Sequence, residues 1–453
     1  MIIETVQNVN LIVGILFFLL YFYQFVYILV PFLKKDKPHK ETVFHKYAVL
    51  ISARNEENVI ATLVDSIHHQ DYPQEFIDIY VIADNCDDET AARAREAGAN
   101  VFVRHDKKKV GKGYALDYAL HRIFKEHGKD AYDGFFVFDA DNILDTNYIS
   151  AMNRTFSDGH RIITSYRNST NYGTNWISAG YALWYIRESK FLNYSRMLLG
   201  TGCAISGTGF LVSKEVIHKN DGWKYFLLTE DIEFSISNSM EGEKIAYCKD
   251  AILYDEQPQT VKQSWTQRLR WARGFLQVFK KYGFKLFGHI FKDKSFTCYD
   301  MSMTILPAIF LTLFIAVINT IAITVGICRG EDWHGLAISL IQWVSSAYIM
   351  MVMLGAITTV CESKRIHTSA WKKFKYLFTF PIFLFTYVPI SIVAIFKNVQ
   401  WEPTRHHGPS VSAKKIEETK ECVSEKTINM SRQNNLYEKV EKNFWFFCCN
   451  KVQ

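Results

Sequence analysis

Two aspartates separated by one small residue, Asp139-Ala140-Asp141, follow directly on the apolar run 135–138. At the end of a strand such a pair can divide labour. One carboxylate holds a ribose, while the other ligates a divalent cation, Mg2+ or Mn2+, that bridges a diphosphate. The cation would neutralise charge developing on a departing nucleotide, a larger electrostatic task than one side chain usually manages. A solvated turn also often reads Asp-x-Asp, so the weight comes from its place after a strand.

Thr229-Glu230-Asp231 offers a second chemistry. A carboxylate opposite a reacting carbon can take the proton from an attacking hydroxyl. The same three residues could equally begin a helix, with Thr229 as cap and two acids in the first turn. Gln267-Arg268-Leu269-Arg270-Trp271 supplies a cation with several donors for a diphosphate and a flat apolar face for a sugar ring. Arg and Trp are also common at a membrane surface, and Lys280, Lys281 and Lys285 follow among apolar residues. The two readings are compatible. Asp84, in Ala83-Asp84-Asn85-Cys86, could accept from a nucleobase, and Gly111-Lys112-Gly113 puts a cation on a flexible loop suited to phosphate. Each of these alone reads as a turn.

These residues need a frame. Short apolar runs of strand type occur at 47–52, 77–83 and 135–138, and a helical spacing at 57–69 places Val59, Leu63 and Ile67 on one face. Strand–helix–strand order with buried runs predicts a parallel sheet under helices. In such sheets ligands bind beyond the carboxyl ends of the strands, where the polar clusters fall.

The 49% hydrophobic and 15% aromatic content is concentrated in a few long runs. The first, 11–33, is long enough to cross a ~30 Å hydrocarbon core as a helix. No Lys or Arg precedes it, and Lys34, Lys35, Lys37 and Lys40 follow, which predicts an anchor with its N-terminus outside rather than a signal peptide. Further spans are expected near 303–328, 336–360 and 376–396. The loop 363–375 carries Lys364, Arg365, Lys372, Lys373 and Lys375, which places it in the cytosol. Four crossings would then leave a basic tail outside, so either the last run, with Pro381 and Pro389, re-enters, or the tail is external. The net charge of +6 is too small and dispersed for a nucleic-acid partner, and nine scattered cysteines without a CxxC pair fit a reduced, cytosol-facing domain.

Taken in order, Asp84, Lys112, Asp139-x-Asp141, Thr229-Glu230-Asp231 and Gln267-x-x-Arg270-Trp271 are far more specific than any one alone. The chain resembles family 2 glycosyltransferases of the processive, membrane-integrated kind, such as cellulose, chitin, hyaluronan and poly-N-acetylglucosamine synthases and the nodulation chitooligosaccharide synthase. The resemblance runs from about Tyr47 to Gly274 and extends to Trp401-Glu402-Pro403-Thr404-Arg405-His406. It implies an α/β GT-A (Rossmann-like) cytosolic catalytic domain combined with transmembrane helices. The expected division is an anchor at 1–40, a glycosyltransferase domain at 41–298, about three membrane helices at 299–400 and a polar tail at 401–453. The extreme end, 444–449, is aromatic with paired cysteines.

The resemblance also implies roles. Asn55, Glu56 and Asp84 are similar to the nucleobase and ribose contacts, Lys112 to the basic residue near the donor, Asp139 to the nucleotide-binding aspartate, and Asp141 to the metal ligand. Ser206-Gly207-Thr208-Gly209 resembles the segment beside the acceptor sugar, so Thr208, Gly209, Glu230 and Trp271 are expected on the acceptor side. Asp231 matches the catalytic base, and Gln267 and Arg270 match the diphosphate-binding motif. The implied activity is inverting transfer from a UDP-sugar, glucose or N-acetylglucosamine, with Mg2+ or Mn2+. The implied acceptor is a growing glycan or a lipid, in a multi-pass cell-membrane protein with room for accessory export or synthase subunits. One departure stands out. The family's Asp-Asp-Gly-Ser appears as Ala83-Asp84-Asn85-Cys86, which puts the arrangement of the nucleobase side in doubt.

Overall fold

A computed structural model describes residues 2–305, 307–330 and 334–399. The segment 401–453, with the Trp401–His406 motif and the aromatic end 444–449, lies outside the described residues.

The apolar runs form the strands expected of them, each slightly longer than the run that marks it. Eight strands, β1 Tyr47–Ala53, β2 Ile77–Asp84, β3 Asn100–Arg104, β4 Gly134–Asp139, β5 Ile143–Leu144, β6 Ile162–Ser169, β7 Phe210–Ser213 and β8 Ile245–Asp255, make one sheet. Its order is β3-β2-β1-β4-β7-β6-β8-β5. The first four are parallel, as expected. The expectation of an all-parallel sheet fails beyond β4, because β7 runs antiparallel to both β4 and β6, and β5 antiparallel to β8. The sheet is mixed, and its direction reverses beside the strand that ends in Asp139.

Alternation along the strands sends successive side chains to two cores. Leu50, Ile82, Phe135 and Val137 pack under the helix Lys112–His127. Val49, Ile51, Phe136 and Phe138 pack under Ile60–His68 and Tyr148–Ser157. Burial on both faces explains why β1 and β4 read as unbroken apolar runs rather than alternating ones.

Among the described residues three helical stretches are long and apolar enough to cross a membrane: Glu4–Leu33, His334–Cys361 and Ala370–Phe396. The expected run 303–328 is split between Phe296–Ile305 and a helix that starts at Pro307 and ends at Arg329. The last run is likewise two helices, Ala370–Phe385 and Tyr387–Phe396, broken at Thr386. Pro389 falls in the first turn of the second, where its missing N–H would have no helical partner anyway.

Specific polar contacts fasten these helices to the sheet domain. Arg196 makes a bidentate pair with Asp300 (Nε–Oδ2 2.8 Å, Nη2–Oδ1 2.8 Å), and the hydroxyls of Tyr23 and Tyr27 on the N-terminal helix donate to the same carboxylate. Arg196 and Asp300 are both buried. On the other flank, Glu362 accepts from the Tyr166 hydroxyl at 2.9 Å and Lys372 Nζ donates to Gly173 O at 2.7 Å, so the basic loop rests directly on the sheet domain.

Candidate active site

The loops after β1 and β2 meet at the carboxyl edge of the sheet. Asn55 and Asn85 hold left-handed backbone conformations (φ +58° and +54°), which asparagine tolerates better than most residues. Asn55 Oδ1 accepts from Asp87 N at 2.9 Å, and Glu56 N donates to Thr90 Oγ1 at 2.8 Å, tying the two loops together. Asp84 closes β2 but does not project freely. Arg104 Nη1, from the end of β3, donates to its Oδ1 at 2.5 Å, and Asn85 Nδ2 donates to the same oxygen. Burial pushes the Asp84 carboxyl up, and the Arg104 hydrogen bond and charge oppose that rise. Arg104 thus occupies Asp84 at the corner where the sequence reads Ala83-Asp84-Asn85-Cys86.

At β4 the geometry tightens. Lys112, at the start of its helix, donates from Nζ to Asp139 Oδ1 at 2.5 Å and to Gly207 O at 2.8 Å. The Asp139 side chain is 39% exposed. Enclosure by the surrounding protein acts to raise its pKa, but Lys112, with Arg167 and Arg270 behind, holds the carboxyl below its usual range. Thr208 and Gly209 sit behind Asp139. The Thr208 hydroxyl accepts from Asp139 N at 2.9 Å and lies 2.5 Å from Asn142 Oδ1. A Cβ on Gly209 would fall 1.9 Å from Leu253 Cδ2, so only glycine fits there. Thr208 therefore braces the aspartate, while Gly209 N donates to Val137 O at 3.0 Å and its bare face packs on Leu253 and Ser165.

Thr229 precedes the helix Glu230–Met240 without making the cap hydrogen bond that its type suggests, and its buried Oγ1 has no partner among the described residues. Its side chain instead faces Gly274, where a Cβ would lie 2.5 Å from Thr229 Cγ2. Glu230 and Asp231 occupy the first turn. Burial, then the charge of Asp231, pushes Glu230 up to about 7, and burial also raises Asp231. Lys112 and Arg270 pull both back. Arg270 Nη1 donates to Leu228 O at 3.2 Å, and Gln267 Oε1 is buried without a partner among the described residues. Trp271 stands edge-on to Tyr181 and Tyr185, with ring centroids 5.8 and 6.4 Å away.

Lys112, Asp139, Gly207 and Asp231 therefore converge, and Glu230 and Arg270 flank them. Asn55, Glu56 and Asp84 form a separate corner along the same sheet edge. Among the described residues no three His, Cys, Asp or Glu side chains are grouped to hold a metal ion. Asp141 is placed beside the site, its Oδ2 accepting from Glu256 N at 3.2 Å. One or two carboxylates with no nitrogen or sulfur donor suit Mg2+ or Mn2+, which complete their shells with phosphate oxygens and water.

The sequence reading missed three residues. Arg167 on β6 points into the site, and Asp255 ends β8 just as Asp84 and Asp139 end their strands, so the same rule would have found it. Glu233 is fully buried and accepts from Phe226 N and Leu227 N (3.0 Å each), Lys281 Nζ (2.6 Å) and the Tyr282 hydroxyl (3.0 Å). It fixes the loop that leads into Thr229, and nothing in its spacing announces that.

Comparison with known proteins fits this geometry. The chain is 24% identical over 257 residues to a poly-beta-1,6-N-acetyl-D-glucosamine synthase of Staphylococcus epidermidis, covering 54% of this chain and 60% of that one. It is 23% identical over 245 residues to a beta-monoglucosyldiacylglycerol synthase of Synechocystis, covering 53% and 50%. The matches thus span little more than half of the relatives' own length. Among solved structures, a mannosyltransferase from Pyrobaculum calidifontis superposes with a TM-score of 0.54 at 15% identity, over 86% of this chain and 98% of that one, which supports a GT-A-like, Rossmann-type mixed sheet. The model of the glycosyltransferase-like family 2 matches residues 45–274, about half of the chain and the whole stretch that carries the motifs, and the chain belongs to that family.

Proposed function

We propose that the protein is an inverting glycosyltransferase that uses a UDP-sugar, glucose or N-acetylglucosamine, to extend a β-linked polysaccharide and pass it across the membrane. The observation that carries this reading is the convergence of Lys112, Asp139 and Asp231 on Gly207, at the carboxyl edge of the sheet. Asp231, ionised, takes the proton from an acceptor hydroxyl, and the freed oxygen attacks the anomeric carbon from the face opposite the nucleotide. The bond to UDP breaks as the new one forms, which inverts the configuration. Asp139 orients the ribose, with Asn55, Glu56 and Asp84 toward the base. Lys112 and Arg270 offset charge building on the diphosphate, and Gln267 places its amide beside it. Asp141 would hold a divalent cation, Mg2+ or Mn2+, which supplies further charge neutralisation on the leaving group when bound. Glu230, Trp271, Thr208 and Gly209 line the acceptor side, Thr208 also holding the backbone of Asp139.

Processive synthesis is favoured by Gln267-x-x-Arg270-Trp271, whose helix Val261–Lys292 packs directly on the last apolar helices (Arg268 Nη1 to Phe383 O, 2.9 Å). A single transfer to a membrane lipid is the second reading, supported by the likeness to a glucosyldiacylglycerol synthase. On this reading the chain is a multi-pass protein of the cell membrane with its catalytic domain in the cytosol, and the basic loop lying against the sheet domain supports that orientation. Incubating the detergent-purified full chain with labelled UDP-sugars and sizing the product separates a polymer from one sugar on lipid. Asp231→Asn should abolish UDP release while keeping UDP binding; near-normal turnover in that variant would falsify the assignment.

A further inference from the structure

Gly207 has φ +83°, and its missing side chain leaves a bare face inside the site. Outside its chain neighbours, the atoms nearest to an ideal Cβ there are Arg167 Nη1 at 3.7 Å, Asp139 Oδ2 at 3.9 Å and Asp231 Oδ2 at 4.0 Å. Three polar atoms from three separate elements, and no apolar one, surround this face. Asp139 and Asp231 are the groups assigned above to the nucleotide and to the proton. On that assignment the transferred sugar would lie between them, with Arg167 as the third wall.

Arg167 is held rigidly. Its Nε donates to Asp255 Oδ2 at 2.7 Å, its Nη2 donates to the same oxygen, and its Nη1 donates to Ser206 O at 2.6 Å. The guanidinium also lies 3.7 Å from the centroid of the Tyr185 ring. Asp255 is buried and is itself fixed by Gln257 Nε2. A guanidinium has five N–H donors, and these bonds use three. Nη1 keeps one hydrogen unpaired among the described residues, on the nitrogen that borders the glycine face. Pairing with Asp255 offsets part of this charge, and the fork is turned to Asp255 and Ser206 rather than left open as a clamp for a diphosphate. A fixed single donor in a polar compartment fits a hydroxyl.

We infer that Arg167, locked by Asp255, donates a hydrogen bond to a ring hydroxyl of the donor sugar and so selects which hexose is transferred. This rests on the reading of the site as a sugar-transfer centre. A site built to bind one hydroxyl rejects the sugar lacking it far more strongly than an apolar pocket rejects a missing methylene, because its own donor is left unpaired.

The test uses the full chain, its preferred UDP-sugar and the 2-, 3-, 4- and 6-deoxy analogues, with UDP release as readout and UDP affinity measured separately. Wild-type protein should reject one analogue by on the order of 10²-fold or more in kcat/KM. Arg167→Met combined with Asp255→Asn keeps the pair neutral, so no buried charge is stranded. That double variant should bind UDP normally yet lose most of the discrimination. Equal slowing of all donors, with the discrimination kept, overturns the inference and leaves Arg167 as a structural brace. So does a wild-type protein that rejects no analogue. If the double variant does not melt cooperatively, Arg167→Lys keeps the charge without the fork and is judged by the same ratio. Wild-type protein that binds UDP but releases none from any sugar refutes the transfer reading first, and this inference with it.

Discussion

Gly207→Ala separates what the site must hold from what the fold must hold. In the left-handed region an L residue costs roughly 1–2 kcal/mol, and Gly207 sits there at φ +83°. The new methyl would otherwise meet only Arg167, Asp139 and Asp231, at 3.7 to 4.0 Å, which is ordinary van der Waals contact. No clash adds to the backbone cost, so unfolding of the detergent-solubilised chain should move by only a few degrees. The methyl, however, occupies the face proposed for the sugar. Displacing reacting atoms by an ångström can cost about 10²-fold in rate, and at least that loss of sugar-dependent UDP release is expected, with UDP affinity nearly unchanged. Gly209→Ala is the built-in contrast. It has a similar φ, +67°, but its methyl would lie 1.9 Å from Leu253 Cδ2 and 2.7 Å from Ser165 Oγ. Overpacking there adds about 1–3 kcal/mol to the backbone cost, so this variant should lose stability first and activity with it. Near-wild-type turnover in Gly207→Ala would refute the sugar assignment. Equal destabilisation by the two variants would show the face to be filled by the fold rather than left for a ligand.

Lys112→Met should weaken UDP binding by about tenfold, since it removes charge-assisted hydrogen bonds to Asp139 Oδ1 and Gly207 O; an unchanged dissociation constant by calorimetry would place Lys112 outside the donor site. Glu230 is pushed up from 4.5 to about 7 in the folded chain, so its stabilising contribution is fully present below about pH 4.5 and is lost as pH rises through 7. The loss is up to about 3 kcal/mol before solvent screening reduces it. Melting curves of Glu230→Gln and wild type should therefore diverge in favour of the variant as pH rises, and parallel curves would contradict the shift. Asp300→Asn strands the buried Arg196 guanidinium and should cost about 3–5 kcal/mol in unfolding experiments, because removing one partner leaves an uncompensated charge; a shift below about 1 kcal/mol would show that water reaches this pair.

The half of the fold that the sequence announces is the half built by one repeated rule. β1 and β4 are buried on both faces and read as apolar runs, β2 does so after Asp78, and Asp84 and Asp139 stand where the runs of β2 and β4 stop. The other half follows no such rule. β7 is four residues long and pairs antiparallel with both neighbours, and β5 is two residues long. Neither is long enough to show a period. Arg167 was hidden for a related reason. It sits within a strand whose other residues are mostly buried, and its charge is matched by a residue 88 positions away. Spacing along the chain cannot reveal such a pairing. Thr208 shows the reverse, since the motif marks it for a ligand and says nothing of its hydrogen bond to Asp139 N.

The helix Val261–Lys292 shows how one motif can serve two masters. Gln267, Arg270, Trp271 and Gly274 stand at i, i+3, i+4 and i+7, which puts them on one helical face. Gly274 is what lets that face approach the start of the helix Glu230–Met240, since any Cβ there would fall 2.5 Å from Thr229 Cγ2. Arg268 lies off this face. It reaches Phe383 O at 2.9 Å, and Arg273 Nη1 reaches Ala394 O at 3.2 Å, so the opposite side of the helix is fastened to the last apolar helices. Arg268 is buried while Arg270 is only partly so, which is the difference expected between an anchor and a ligand-facing cation. The helix that positions Arg270 beside Glu230 and Asp231 is thereby the one fixed to the membrane segment. Tyr181, Tyr185 and Phe383 gather around the Trp271 ring, on the side proposed for the acceptor. The contact that seats the sheet domain on the last apolar helices and the aromatic wall around Trp271 are built from the same two turns of chain.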